Sequence, residues 1–192
     1  LSPKGEIYVS DGYGNAKVHK YSPDGKLLMS WGEPGTDPGQ FNIVHNIVTD
    51  AEGWVYVADR ENHRVQVFDG NGKFETQWNN MHRPCGLYCH RGPRLEFIIG
   101  ELGSGMKVNR AHPNIGPRVS IVDKHGALIA RLGGKDGPGT EAGKFLAPHG
   151  IALDSRGDIY VGEVSYTEWP SSHPDVPIPK GLRSLQKLEK VK

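Results

Sequence analysis

Cysteine is scarce in this chain: Cys85 and Cys89 are the two present among 192 residues. They stand four apart in what reads as one strand, too far apart to bond at about 3.3 Å per residue, so no intrachain disulfide is expected. Long apolar runs are missing too; none approaches the roughly 20 residues that a membrane-spanning helix needs. Charge of one sign is also lacking. The formal net charge is +1, and without a Lys/Arg run there is no electrostatic footprint for nucleic acid or an anionic membrane. Helix signals are weak throughout. What the chain has in quantity is punctuation. Its 26 Gly and 14 Pro fall at regular places between short alternating apolar runs, which marks a β-rich, turn-rich globular protein.

The stretch Val57 to Phe74, VADRENHRVQVFDGNGKF, sets a grammar that recurs. An apolar run ends in an acid, a polar loop follows, and a basic residue opens an alternating strand that leads through a Gly turn into another. The same order appears in YVSDGYGNAKVHKYSPDGKLL upstream, and in IIGELG, RVSIVDKHGALI and YVGEVSYT downstream. A period of roughly 40 to 45 residues is the sign of a propeller blade or a similar repeat array. Aligned, the repeats predict four strands per unit, a to d: a partial unit at 1–33, complete units at 41–79 and 83–134, and a partial unit at 145–192. The third and fourth units carry insertions, GSGMKVNRAHPNIGP and YTEWPSSHPDVPIPK. The fold expectation is an all-β propeller of four-stranded blades, about four of them present and two partial. An open stack would expose apolar blade faces and strand edges. The chain therefore reads as one domain that is a fragment, with further blades expected before Leu1, in preference to one that assembles with itself; compartment is left open.

Antiparallel geometry puts the start of strand a and the b–c loop on one face. At the start of strand a, the motifs IVHN, RPCG and APHG place His45, Cys85 and His149 at matching positions near the axis. Imidazole and thiolate are both zinc ligands, and three converging from separate strands with one position open is the arrangement of a catalytic zinc. The alternative is that they are turn and packing residues, with Cys85 a small buried hydrophobe. Asp11, Asp59, Glu101 and Glu163 end strand b, and Lys17, Arg64, Arg118 and Arg183 open strand c. Their register points to structural pairing, the acid accepting loop N–H groups and meeting the base. The b–c loops differ from one another, offering Tyr13, Arg60, and Ser165 with Tyr166. A Tyr near a metal can act as a base, and an Arg can grip a carboxylate.

On GWVYVADRENHRVQVFDGNGKF and APHGIALDSRGDIYVGE the chain resembles the NHL-repeat family over nearly its whole length. VSDGYGNAKVHKYSPDGKLLMSWGEPGTDPGQF followed by VADRENHRVQVF is similar to the lyase domain of the peptidylglycine alpha-amidating enzymes, a six-bladed propeller. That resemblance implies cleavage of a C-terminal alpha-hydroxyglycine to a peptide amide and glyoxylate. It implies zinc on three histidines, two of them matched by His45 and His149 and the third in a blade outside this chain, with Tyr13 as the catalytic tyrosine and Arg60 as the site arginine. Val44 stands where the family has Pro. Gly150 stands where its lyases have a calcium-holding Asp, which weighs against calcium here. Cys85 has no counterpart in that set.

The expected function is a zinc-dependent carbon–nitrogen lyase acting on a small-molecule or peptide substrate. Its rival is a non-catalytic propeller that presents its loop face to a protein or peptide partner. A calcium-dependent lactonase-like hydrolase would need several acids around the channel, and the start-of-strand positions supply none. Neither reading involves nucleic acid or a membrane.

Overall fold

The turns at one end of the strands are written in the same letters. Ser2–Gly5, Ser22–Gly25, Asp50–Gly53, Asp69–Gly72, Asp123–Gly126 and Asp154–Gly157 each open on a short polar side chain and close on a glycine with φ between +77° and +92°. In five of the six the opening side chain accepts main-chain N–H bonds two and four residues on, as Asp123 Oδ1 does from His125 at 2.8 Å and Ala127 at 2.9 Å; Ser22 accepts only the second, from Lys26 N at 3.0 Å. The closing position needs the left-handed region, which glycine enters without steric cost. Each turn thus sets its own hairpin locally.

In the computed structural model, which describes residues 1–92, 94–109, 112–135 and 137–191, these hairpins build four antiparallel sheets. The first holds β1 (Ile7–Asp11), β2 (Lys17–Tyr21) and β3 (Leu27–Trp31). The second is β4 (Val44–Thr49), β5 (Val55–Asp59), β6 (Arg64–Phe68) and β7 (Phe74–Trp78). The third is β8 (Pro84–Arg91), β9 (Leu95–Glu101), β10 (Arg118–Asp123) and β11 (Leu128–Gly133). The fourth is β12 (Pro148–Leu153), β13 (Ile159–Glu163) and β14 (Leu185–Leu188). Each is a meander in chain order, and β4, β8 and β12 lie side by side as the inner strands, with β1 against β4. The architecture is all-β and propeller-like.

The core lies in the gaps between blades. Strand alternation sends Val55 and Val57 of β5 toward the first sheet with Val18, Phe41 and Phe68, and Tyr56 and Ala58 toward the third with Trp78, Leu87 and Phe97. Ile98, Val119, Phe145 and Val161 fill the next gap. Covered on both sides, every residue of β5 and β6 is buried, whereas outer strands β3 and β11 stay largely exposed.

Three expectations are corrected. The fourth unit's insertion contains a helix, α1 (Ser165–Ser172), despite Pro170 within it; Trp169 docks with Leu146 and Leu182, and this tertiary burial outweighs the poor local propensity. Leu182 belongs to that cluster, so the last strand begins at Leu185 and not at Leu182. Acid and base pair at two of the four predicted positions: Asp59–Arg64 at 2.7 Å and Glu101–Arg118 at 2.8 Å, both pairs buried. Asp11 bonds Asn15 and His19 instead, and Glu163 bonds Gln186. In the third unit's insertion Lys107–Asn109 form one 3-10 turn, and Arg110 and Ala111 lie outside the described residues.

Candidate metal centre at the inner strands

Buried acids at the ends of the b strands hold the connectors that enter the a strands. Asp59 accepts from Asn42 N at 2.8 Å, Glu101 from His82 N at 2.6 Å and Glu163 from Leu146 N at 2.6 Å. One residue further along each connector, a carbonyl accepts from the first b–c loop residue: Ile43 O from Arg60 N, Arg83 O from Leu102 N and Ala147 O from Val164 N, each at 3.1 Å. Ile43 and Arg83 have φ of 60° and 53°. The left-handed region is costly for a β-branched residue such as Ile43, on the order of 1–3 kcal/mol. Gly12 lets the first loop come equally close, since a Cβ there would fall 1.9 Å from Val44 O.

The connectors deliver a β-bulge to each inner strand. Val44 pairs with Asp59 and Asn46 with Ala58; Pro84 with Glu101 and Gly86 with Gly100; Pro148 with Glu163 and Gly150 with Gly162. The residues left over are His45, Cys85 and His149. A bulge re-aims the side chain it carries. Here the re-aimed groups converge: the candidate ligand atoms of the three all lie within 4.8 Å of one another.

The imidazoles offer neutral lone pairs, in a field made positive by Arg60 and Arg83. His45 Nδ1 meets the Cys85 carbonyl at 3.1 Å. A carbonyl can only accept, so Nδ1 carries the proton and Nε2 presents a lone pair. Burial lowers the His45 pKa to about 4, with the nearby His149, Arg60 and Arg83 acting in the same direction. Burial also lowers that of His149. Both imidazoles are therefore neutral at pH 7. Burial pushes the Cys85 thiol up to about 12 against the opposing pull of Arg60 and Arg83. Cys85 and Cys89 are both free thiols of β8.

Arg60, 8% exposed, leaves the end of β5 and donates Nη1 to the Tyr13 hydroxyl at 2.9 Å. Tyr13 is 75% exposed, and its ring meets that of His45 edge-on with centroids 6.2 Å apart. All five predicted site residues thus gather on one face. Ser165 is buried at the start of α1 and Tyr166 is exposed beside it. Sequence reasoning missed Glu61 and Arg83, which join across the blades at 3.0 Å. Register carried a signal for both: Glu61 is the second residue after a b-strand acid, as Tyr13 is, and Arg83 precedes Cys85 by two, as Ile43 precedes His45.

Four meandering sheets, three of them with a bulged His or Cys on the inner strand, define a repeat propeller. The NHL repeat model matches residues 41–68, and the chain belongs among NHL-repeat proteins. It is 47% identical over 165 residues to NHL repeat-containing protein 3 of Homo sapiens, covering 83% of this chain and 44% of that protein. It is 31% identical over 178 residues to peptidyl-alpha-hydroxyglycine alpha-amidating lyase 1 of Drosophila melanogaster, covering 84% of this chain and 31% of that one. The chain thus spans less than half the length of either. Virginiamycin B lyase from Staphylococcus aureus superposes with a TM-score of 0.58 at 16% identity, over 85% of this chain and 47% of that structure; this likeness concerns the fold alone. Among the described residues no helix is long and apolar enough to cross a membrane.

Proposed function

We propose that this chain carries the metal-binding face of a zinc-dependent lyase that cleaves the N–C bond of a peptidyl alpha-hydroxyglycine. The observation that supports it most is the convergence of His45, Cys85 and His149 beside the Tyr13–Arg60 pair. Two neutral imidazoles and a thiol fit zinc, and the thiol gives up its proton on binding. Bound zinc would polarise the substrate hydroxyl and make its proton easier to remove.

The chain's own groups have distinct parts. Arg60 holds the substrate carboxylate and, through Nη1, fixes the Tyr13 hydroxyl, whose ring lies edge-on to His45. Tyr13 takes the hydroxyl proton as the carbon–nitrogen bond breaks. The bonding pair leaves with the amide nitrogen, which gains a proton, and the carbon becomes the aldehyde of glyoxylate. Calcium has no part in this reading.

Elemental analysis of protein purified without chelator is expected to give close to one zinc per chain, lost in His45→Ala and in His149→Ala. Tyr13→Phe should keep the zinc while glyoxylate release slows by roughly 10²–10⁴-fold. Zinc retained in both histidine variants would rule out the metal site. The second reading, a non-catalytic scaffold that binds a protein or peptide on this face, is favoured by the 47% identity to a protein named only for its repeats. It predicts no zinc, and partner binding that survives His149→Ala.

A further inference from the structure

Glu61 is the centre of a charged group that the metal reading leaves unused. Its carboxylate accepts from Arg60 Nε at 2.8 Å. From the neighbouring blade it also accepts from Arg83, whose Nε lies 3.1 and 3.2 Å from its two oxygens and whose Nη2 lies 3.0 Å from Oε1. Two guanidiniums thus share one carboxylate, which leaves one net positive charge. The group adjoins the His–Cys–His cluster through both arginines: Arg60 reaches Tyr13, and Arg83 stands two residues before Cys85 on the connector pinned by Glu101.

The donors of Arg83 are not exhausted by this contact. A guanidinium carries five N–H groups. Nη1 of Arg83 makes no hydrogen bond among the described residues. The Gly105 backbone flanks the same group so closely that a Cβ there would come within 3.3 Å of Cζ and Nη1. Glu61 and Gly105 therefore hold the guanidinium in place, and a ligand reaching it would pay little to order it. An isolated tie between blades would need only one arginine for one carboxylate; a second, with an uncommitted nitrogen, provides charge for one more anion.

We propose that Arg83 is a second anion-binding residue of this face, which with Arg60 receives the carboxylate of a small monocarboxylate ligand while Glu61 fixes both guanidiniums. The proposal rests on the reading above for which face is active, and it does not require the metal.

Hippurate tests it, because it carries a carboxylate beside an acylated nitrogen but has no hydroxyl to react; uncharged hippuramide is the control. Calorimetric titration of wild-type protein should show hippurate binding with zinc removed and with zinc added, and no binding of hippuramide. Arg83→Met should weaken hippurate roughly tenfold or more, the loss of one charge-assisted hydrogen bond. Arg83→Lys should restore only part of it, since an ammonium cannot bridge Glu61 and the ligand in the same fork geometry. Melting curves and zinc content of both variants should match wild type, which separates a lost contact from a lost fold. Unchanged hippurate affinity in Arg83→Met, or no hippurate binding by wild type in either metal state, overturns the proposal. Absent zinc or absent glyoxylate release alongside intact hippurate binding overturns only the lyase reading.

Discussion

The same strands end in two unlike faces. At one, Asp- and Ser-initiated turns close on left-handed glycines and satisfy their own main-chain groups within four residues. At the other, bonds run between distant segments: Glu101 to His82, Arg60 to Tyr13 and Arg83 to Glu61. These turns spend most of their polar groups on themselves, although Gly70 O still accepts from the Tyr8 hydroxyl at 3.0 Å and from Lys20 Nζ at 2.8 Å. The second face keeps a His45 ring nitrogen and an Arg83 nitrogen without a hydrogen bond among the described residues, and a buried thiol beside Arg60, because its loops are free to differ while the acids beneath them stay fixed.

The largest expected effect lies under that second face. Glu101 receives Arg118 Nε at 2.9 Å and Nη2 at 2.8 Å, as well as the Ser120 hydroxyl. Glu101→Ala leaves the Arg118 charge buried without its partner and should cost about 3–5 kcal/mol in urea unfolding. It also frees the connector to Cys85, so zinc affinity should fall with stability. Unaltered zinc affinity in a destabilised variant would show that the clamp and the bulge are independent.

Acid should come next, in chelator-treated protein. His45 has a folded pKa of about 4, below its ordinary value of 6.5, and that of His149 is shifted the same way. The unfolded chain therefore takes up these protons first. Their contribution to stability is complete above pH 6.5 and is lost as pH falls toward 4. Urea midpoints measured from pH 7 to pH 4 should decline less steeply in His45→Gln than in wild type; parallel profiles would mean that His45 is not buried neutral.

The smallest effect belongs to the turn face. Asp123→Ala removes two turn bonds that water can partly replace, and should cost about 1 kcal/mol with zinc content untouched. A loss as large as that of Glu101→Ala would erase the distinction between the two faces.

Much of the fold was legible because its determinants are local. Alternation in Val55 to Asp59, the acid at its end and the Asp69–Gly72 turn mark strand, loop and hairpin in a single pass along the chain. The helix at Ser165 was not legible, since Trp169 is helical for the sake of Leu146 and Leu182. Pairing of Asp11 with Lys17 and of Glu163 with Arg183 was expected from register alone; their loops supply other partners, so register without the loop's own bonds misled. The site was half legible: matching positions singled out His45, Cys85 and His149, while Glu61 and Arg83 went unnoticed because each looks like an ordinary charged loop residue until the blades are packed.

The sequence by itself determined the blade, its period, its turns and the face on which its variable loops emerge, since these follow from side-chain alternation and from bonds spanning about four residues. Only the tertiary structure decided that His45, Cys85 and His149 are the extra residues of three bulges and meet within 4.8 Å. A bulge is defined by the partner strand, and convergence by the packing of neighbouring blades, and neither is written in the spacing of any one repeat.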